Sequence, residues 1–362
     1  MVPVPAKSHM LKITRSRSIW LLCGAALIGA VSIAAARVPA STIADDAQAC
    51  RQESGDAAIS ACGRAIASGR YQGRGLAQIF NDRAFEHRRK GEADRAMADY
   101  DEAIRLDPQY AQAFSGRANA WQARHDNDRA IADYSEAIRL DPDNLAAYND
   151  RGTTWLAKRD YDRAIADFST VIRIDPKDPD GFSNRGATWK LKGELDRALV
   201  DLDEAIRLNP QDHCALYNRG IVLRDKGDND RAIADYSEAI RLNPNYAVAF
   251  NNRGLVWRAK DDHARAIADY DAAIRLNPRV AFFHLNRGNA WGDAGDYDRA
   301  IADYSAALAL EPDCAGVLYL RGQAKLKKGD KAGAIADIMA AKKIDPNVDG
   351  TRRKTADEAQ GG

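Results

Sequence analysis

Cysteine is scarce in this chain. There are five in 362 residues: Cys23, Cys50, Cys62, Cys214 and Cys314. None form a C-x-x-C pair, so the sequence offers no structural zinc site. The six histidines are scattered without metal-ligand spacing, and no glycine-rich phosphate loop is present. No metal or cofactor is expected on these grounds. Charge of one sign is missing too. The 53 Lys+Arg stand against 52 Asp+Glu, a net +1, so the footprint of a strongly basic, nucleic-acid-binding domain is absent. Long apolar runs are absent except for one, from Ser18 to Ala36.

What is present is a period. Prolines recur at Pro108, Pro142, Pro176, Pro210, Pro244, Pro278, Pro312 and Pro346, every 34 residues. Such spacing marks an internal repeat, and the chain reads as one elongated array rather than two or three domains. With the proline at position 32, the eight units are 77–110, 111–144, 145–178, 179–212, 213–246, 247–280, 281–314 and 315–348. Each contains two helical patterns. The first carries an aromatic residue at position 4 (Phe80, Phe114, Tyr148, Phe182, Phe250), a small residue at position 8 (Ala84, Ala118, then Gly152 through Gly322) and often Trp at position 11. These positions share one helical face, and the small residue leaves room for a second helix to approach. A polar turn follows, then R-A-I-A-D-Y-x-x-A-I-R-L, which stops before Asp/Asn-Pro because the residue preceding proline is biased out of the helical region. Neither helix buries its apolar stripe alone; stacked neighbours must supply the core.

These residues resemble the tetratricopeptide repeat in length, in the large, small and aromatic residues at 4, 8 and 11, in alanine at 20 and 27 and in proline at 32. Alanine at position 20 recurs in every unit, from Ala96 to Ala334. The resemblance covers residues 77–348 and implies an all-α fold, a right-handed solenoid of helix–turn–helix repeats. One departure is systematic: position 7, usually leucine in the family, is arginine from Arg83 to Arg321. Aspartate at position 23 (Asp99 through Asp337) matches it in every unit. The plain reading is one Arg–Asp pair per repeat, linking its two helices or adjacent repeats. The other is a row of guanidinium groups for an anionic polymer, against which the equal number of aspartates argues.

The flanks read differently. Residues 1–40 hold five basic groups and no acid, with the apolar run and small residues at Ala34-Ala35-Ala36 and Val38-Pro39-Ala40. This reads as a secretory signal, or else as an uncleaved anchor, since 19 residues approach the length needed to span. Its removal would take the net charge from +1 to −4. The repeats are then expected to be periplasmic or secreted, or held outside the cytoplasm at an inner membrane. Residues 41–76 read as a degenerate capping unit, with a first helix over 44–53, a turn at Gly55-Asp56, and a polar link over 69–75. Cys50 and Cys62 could face each other there as a disulfide in an oxidising compartment, or remain two small apolar core residues. Unit 8 carries Lys327, Lys328, Lys331, Lys342 and Lys343, the polar outer side that a solenoid end requires. The tail, 349–362, has no apolar stripe and reads as disordered.

In the family that this chain resembles, the first helices line a concave groove, with positions 2, 5, 6, 9, 12 and 13 facing it. Position 6 is Asn184, Asn218, Asn252 and Asn286 in four consecutive units, with Asp82 and Asp150 at the same place earlier. An amide offers both donor and acceptor, so such a row can pair with the main chain of an extended peptide; alternatively, these amides are solvated or bond to their own neighbours. Lys190, Arg224 and Arg258 at position 12 and Asn289 at position 9 surround the row. Tyr217, Phe282, Leu285 and Tyr319 add apolar contact. The mixture suits a peptide with some acidic character. His213-Cys214 is the only Cys/His neighbour pair and shows no third group, and no segment outside the repeats is long enough for a catalytic domain. The expectation is a non-enzymatic scaffold for a protein or peptide partner. The alternative is a structural, self-associating envelope factor.

Overall fold

The computed structural model describes residues 46–348. These form eighteen helices and no strand. A leading hairpin consists of α1 (Asp46–Gln52) and α2 (Gly55–Ala67). Units 1 to 4 are α3 (Gly73–Arg89) with α4 (Ala93–Leu106), α5 (Ala111–Ala123) with α6 (Asn127–Leu140), α7 (Leu145–Ala157) with α8 (Tyr161–Ile174), and α9 (Pro179–Leu191) with α10 (Leu195–Leu208). Units 5 to 8 are α11 (His213–Asp225) with α12 (Asn229–Leu242), α13 (Ala247–Ala259) with α14 (His263–Leu276), α15 (Ala281–Asp293) with α16 (Tyr297–Leu310), and α17 (Ala315–Lys328) with α18 (Lys331–Ile344). Each helix packs on the next in chain order. First helices of successive units also touch, as α9 does α11, α11 does α13 and α13 does α15. The result is an all-α solenoid whose inner side is built from first helices.

Local chemistry explains each element. Asp126, Asp160, Asp228, Asp262, Asp296 and Asp330 cap the second helices of their units, each side chain accepting the backbone N–H three residues on. Units 1 and 4 have Glu92 and Glu194 there, and neither makes a side-chain cap. At position 8 glycine is a packing requirement. A Cβ on Gly152, Gly220 or Gly254 would lie 2.7–2.8 Å from the ring of Phe168, Tyr236 or Tyr270 at position 24. The alanines at position 20 are buried in every unit, which lets the two helices close together around these rings. The tryptophans of position 11 are roofed by the arginines of position 19: Arg129, Arg163, Arg197, Arg265 and Arg299 lie 4.4–4.8 Å above Trp121, Trp155, Trp189, Trp257 and Trp291.

Cys50 on α1 and Cys62 on α2 form a disulfide amid Ala47, Ala61, Ala65 and Ile79. Three details of this flank differ from the sequence reading. The turn is Glu53-Ser54, and Gly55 already opens α2, with a positive φ and its N–H donated to Glu86. The link is shorter, because α3 begins at Gly73, four residues ahead of the repeat register. At the other flank, unit 8 is not uniformly polar: Ile335, Met339 and Ile344 are exposed among its lysines. The apolar run 18–36 and the tail 349–362 lie outside the described residues. Among the described residues, no helix is long and apolar enough to cross a membrane.

Candidate functional site

The arginines of position 7 do not line a free cationic row. All eight make a two-pronged bond to the aspartate of position 23 in their own unit. Nε donates to Oδ2 at 2.7–2.9 Å and Nη2 to Oδ1 at 2.6–2.8 Å. In units 2 to 8 the remaining Nη1 donates across to position 25 of the unit before, at 2.6–3.1 Å. The acceptors are Asp101, Ser135, Ser169, Asp203, Ser237, Asp271 and Ser305. One side chain thus ties three helices, its own pair and the second helix behind it. Bonding to the carboxylate pushes the Arg117, Arg219 and Arg287 guanidinium pKa values upward. Burial pushes the Asp269 carboxyl up, with the Arg253 hydrogen bonds only partly offsetting it. These donors are consumed by the fold, which removes them from any anion-binding role. Position 25 was not apparent as a partner because it alternates between serine and aspartate. What unites them is only that both accept a hydrogen bond.

The asparagine row serves the stack in the same manner. Asn184 donates to Asn149, Asn252 to the Tyr217 hydroxyl and Asn286 to Asn251, at 2.8, 2.9 and 2.9 Å. Each acceptor lies 35 residues back, at position 5 of the preceding unit. Asn252 and Asn286 are buried, whereas Asn184 and Asn218 are half-buried. At the matching place before Asn218 stands Ser183, whose side chain is too short to repeat the bond. The row is therefore not four equivalent open amides; Asn218 is the one without the inter-unit bond. Asp82 and Asp150, at the same position in units 1 and 3, have their carboxyl pKa pushed up by burial.

The other candidates fall along the same inner side. Lys190, Arg224 and Arg258 occupy position 12 of α9, α11 and α13, three successive helices in contact. Arg224 donates to Asp225 and Arg258 to Asp293 of the next unit at 2.6 Å. Burial pulls the Lys190 ammonium down to about 8, opposed by Asp225 and reinforced by Arg224. Asn289 accepts from the Tyr304 hydroxyl at 2.9 Å. Tyr217 is buried against Tyr236 and Tyr246, so it is core rather than lining. Phe282 stands edge-on to Phe283 and is half-buried. Tyr319, on α17, is half-buried one unit further along. Lys190, Asn218, Arg224 and Arg258 thus lie on three successive first helices, α9, α11 and α13, whereas Phe282 and Tyr319 lie on α15 and α17. Asp212, His213 and Cys214 bring three ligand atoms within 4.8 Å of one another. Asp212 is occupied in capping α11, its Oδ1 accepting the Cys214 N–H, and the His213 Nε2 is taken up by the Asn243 amide.

A family model described as tetratricopeptide repeat matches residues 116–179, 192–247, 217–281 and 285–349, and a second of the same description matches 77–110. Among solved structures, a tetratricopeptide repeat protein from Parabacteroides merdae is 20% identical, over 69% of this chain and 97% of its own, with a TM-score of 0.53. PilF of Pseudomonas aeruginosa is 20% identical over 60% of this chain and 97% of its own, with a TM-score of 0.52. The Cut9–Hcn1 hetero-tetramer of the APC/C matches at 18% identity over 83% of this chain and 60% of that one, with a TM-score of 0.53. At these identities the likeness is one of fold. No curated protein sequence matches the chain significantly.

Proposed function

This chain belongs to the tetratricopeptide-repeat family, a non-catalytic fold of protein–protein interaction scaffolds, and from that premise we propose that it holds an extended, partly acidic segment of a partner protein along the first helices of units 4 to 7. One observation carries the reading. Three successive first helices, α9 touching α11 and α11 touching α13, carry a cation at the same position, with the inter-unit-unbonded amide of Asn218 on the middle one. Lys190 supplies charge, Asn218 pairs with a peptide main chain, and Phe282 and Tyr319 offer apolar contact further along. Asn184, Asn252 and Asn286 hold the helices in register, so the surface is organised before a ligand arrives and loses little entropy on binding. We place the array in an oxidising compartment, periplasmic or at the outer side of a membrane; the Cys50–Cys62 disulfide supports this.

The test is photo-crosslinking in the native cell from residue 218, with residue 238 on α12 as the outer-side control. A discrete protein adduct from 218 and none from 238 is the expected result. Adducts from 238 alone, or only to the chain itself, would replace this reading with the self-associating one. A pH series on the captured partner adds a second check. Because Lys190 loses its charge near pH 8, affinity for an acidic segment should fall between pH 7 and 9 in the wild type. In Lys190→Arg, a cation throughout this range, affinity should stay level.

A further inference from the structure

The outward face of α18 is the continuation of an interface used seven times inside the array. In inner units, position 21 packs against the first helix of the unit that follows. Ile233 packs on a cluster that reaches Ala249 and Val256 of the next first helix, Ile267 on one that reaches Ala290, and Ile301 on one that reaches Val317 and Ala324. Position 25 accepts the arginine of that same following helix. In unit 8 these positions are Ile335 and Met339. They are 59% and 67% exposed, where Met97 and Ile165 at position 21 of units 1 and 3 are 7% and 9%. The residues around them have changed together. Methionine replaces the serine or aspartate acceptor, so this face no longer receives an arginine. Lys331 stands at position 17 and Lys342 at position 28, where inner units carry Tyr297 or Asn229 and Ile240 or Leu308. On a helix, positions 17, 21, 25 and 28 share one side. The stripe therefore reads lysine, isoleucine, methionine, lysine.

That combination selects its occupant. Another copy of this chain docking head-to-tail through a repeat would present the arginine of position 7 to Met339, whose thioether is only a weak acceptor in place of a hydroxyl or carboxylate. Docking through α1 would present only Ala49 between polar neighbours such as Gln48 and Gln52. Two α18 faces brought together would oppose like charges. We infer that the face of α18 docks an amphipathic helix of a partner protein, with apolar residues at i and i+4 set between acidic ones. This surface lies on the last second helix, away from the inner side of units 4 to 7, and stands or falls independently of the groove.

The experiment uses the full chain and a dye-labelled helical peptide with a leucine stripe flanked by glutamates, read by fluorescence anisotropy. The controls are its twin with lysine flanks and a scrambled sequence. The glutamate peptide is expected to bind at least about tenfold more tightly than the lysine twin, with Met339→Glu lowering its affinity at least about tenfold. Asn218→Ala should leave it unchanged. Met339 is exposed, so Met339→Glu should keep the wild-type thermal melt; Met339→Ala, which removes contact without adding charge, gives a second reading. Equal binding of both peptides, or binding indifferent to Met339, overturns the proposal. So does sedimentation showing a dimer that Met339→Glu dissolves, which would make a second copy the occupant. Binding that emerges only in a chain ending at residue 348 also overturns it, since residues 349–362 would then be the occupant.

Discussion

At position 15, the turn between the two helices of a unit, the backbone is left-handed whatever residue stands there. Gly91, Gly193, Gly227, Gly295 and Gly329 meet this demand, and His125, Arg159 and Asp261 meet it with φ near +60°. A side chain in that region costs about 1–2 kcal/mol, which glycine avoids. His125→Gly and Arg159→Gly should therefore each raise stability by roughly 1 kcal/mol, measured as an increase in urea midpoint at constant slope. Position 8 behaves in the opposite sense. Gly254→Ala places a methyl carbon against the Tyr270 ring and should destabilise by about 1–3 kcal/mol. Lys190 supplies a titration signature. Its folded pKa lies below the unfolded one, at about 8 instead of 10.5. The unfolded chain thus binds the extra proton between those values, and stability should rise with pH through that window. Lys190→Met should abolish that rise, seen by comparing melting temperatures of the two proteins from pH 8 to 10.

At the scale of the element, the tie between helices is the arginine of position 7. Removing Arg253 leaves Asp269 buried and unpaired and should cost roughly 3–5 kcal/mol. Arg253→Lys should recover only part, because a single ammonium cannot reproduce the fork. Chemical denaturation of Arg253→Ala, of Asp269→Ala and of the double variant would close the cycle. The helix pairs, their turns and this Arg–Asp match were legible in the sequence because each repeats at fixed register. The partner at position 25 and the asparagine bonds to position 5 were not. Both depend on one helix lying beside another from a different unit, and the residues that fill them differ in name while sharing one function. The groove was legible only as a set of positions. Which amides would be spent on neighbours depended on whether the residue 35 back could reach, as Asn149, Tyr217 and Asn251 do and Ser183 does not. Another inter-unit pairing shows the same logic. Lys or Arg at position 14 bonds the aspartate at position 18 of the preceding unit, as in Lys158–Asp128, Lys192–Asp162, Lys226–Asp196, Lys260–Asp230 and Lys328–Asp298. At the one junction where position 14 is Ala294, position 18 is Ala264. Both halves of the pair are missing together.

At the scale of the whole array, the helix contacts among the described residues run between adjacent units, so damage should stay local. Reducing Cys50–Cys62 should cost about 3 kcal/mol for so short a loop. Hydrogen exchange is expected to rise in α1 to α3 and to stay unchanged from α7 onward; loss of protection throughout would show that the array unfolds as one. The tie at position 7 also carries a rule of succession. Any unit with serine or aspartate at position 25 can be followed by any unit with the arginine at position 7, because the arginine donates to either. Excising residues 213–246 would set Asp203 before Arg253, a junction no different in kind from those already present. The array thus has a grammar in which inner units are interchangeable words, and Met339 is its full stop.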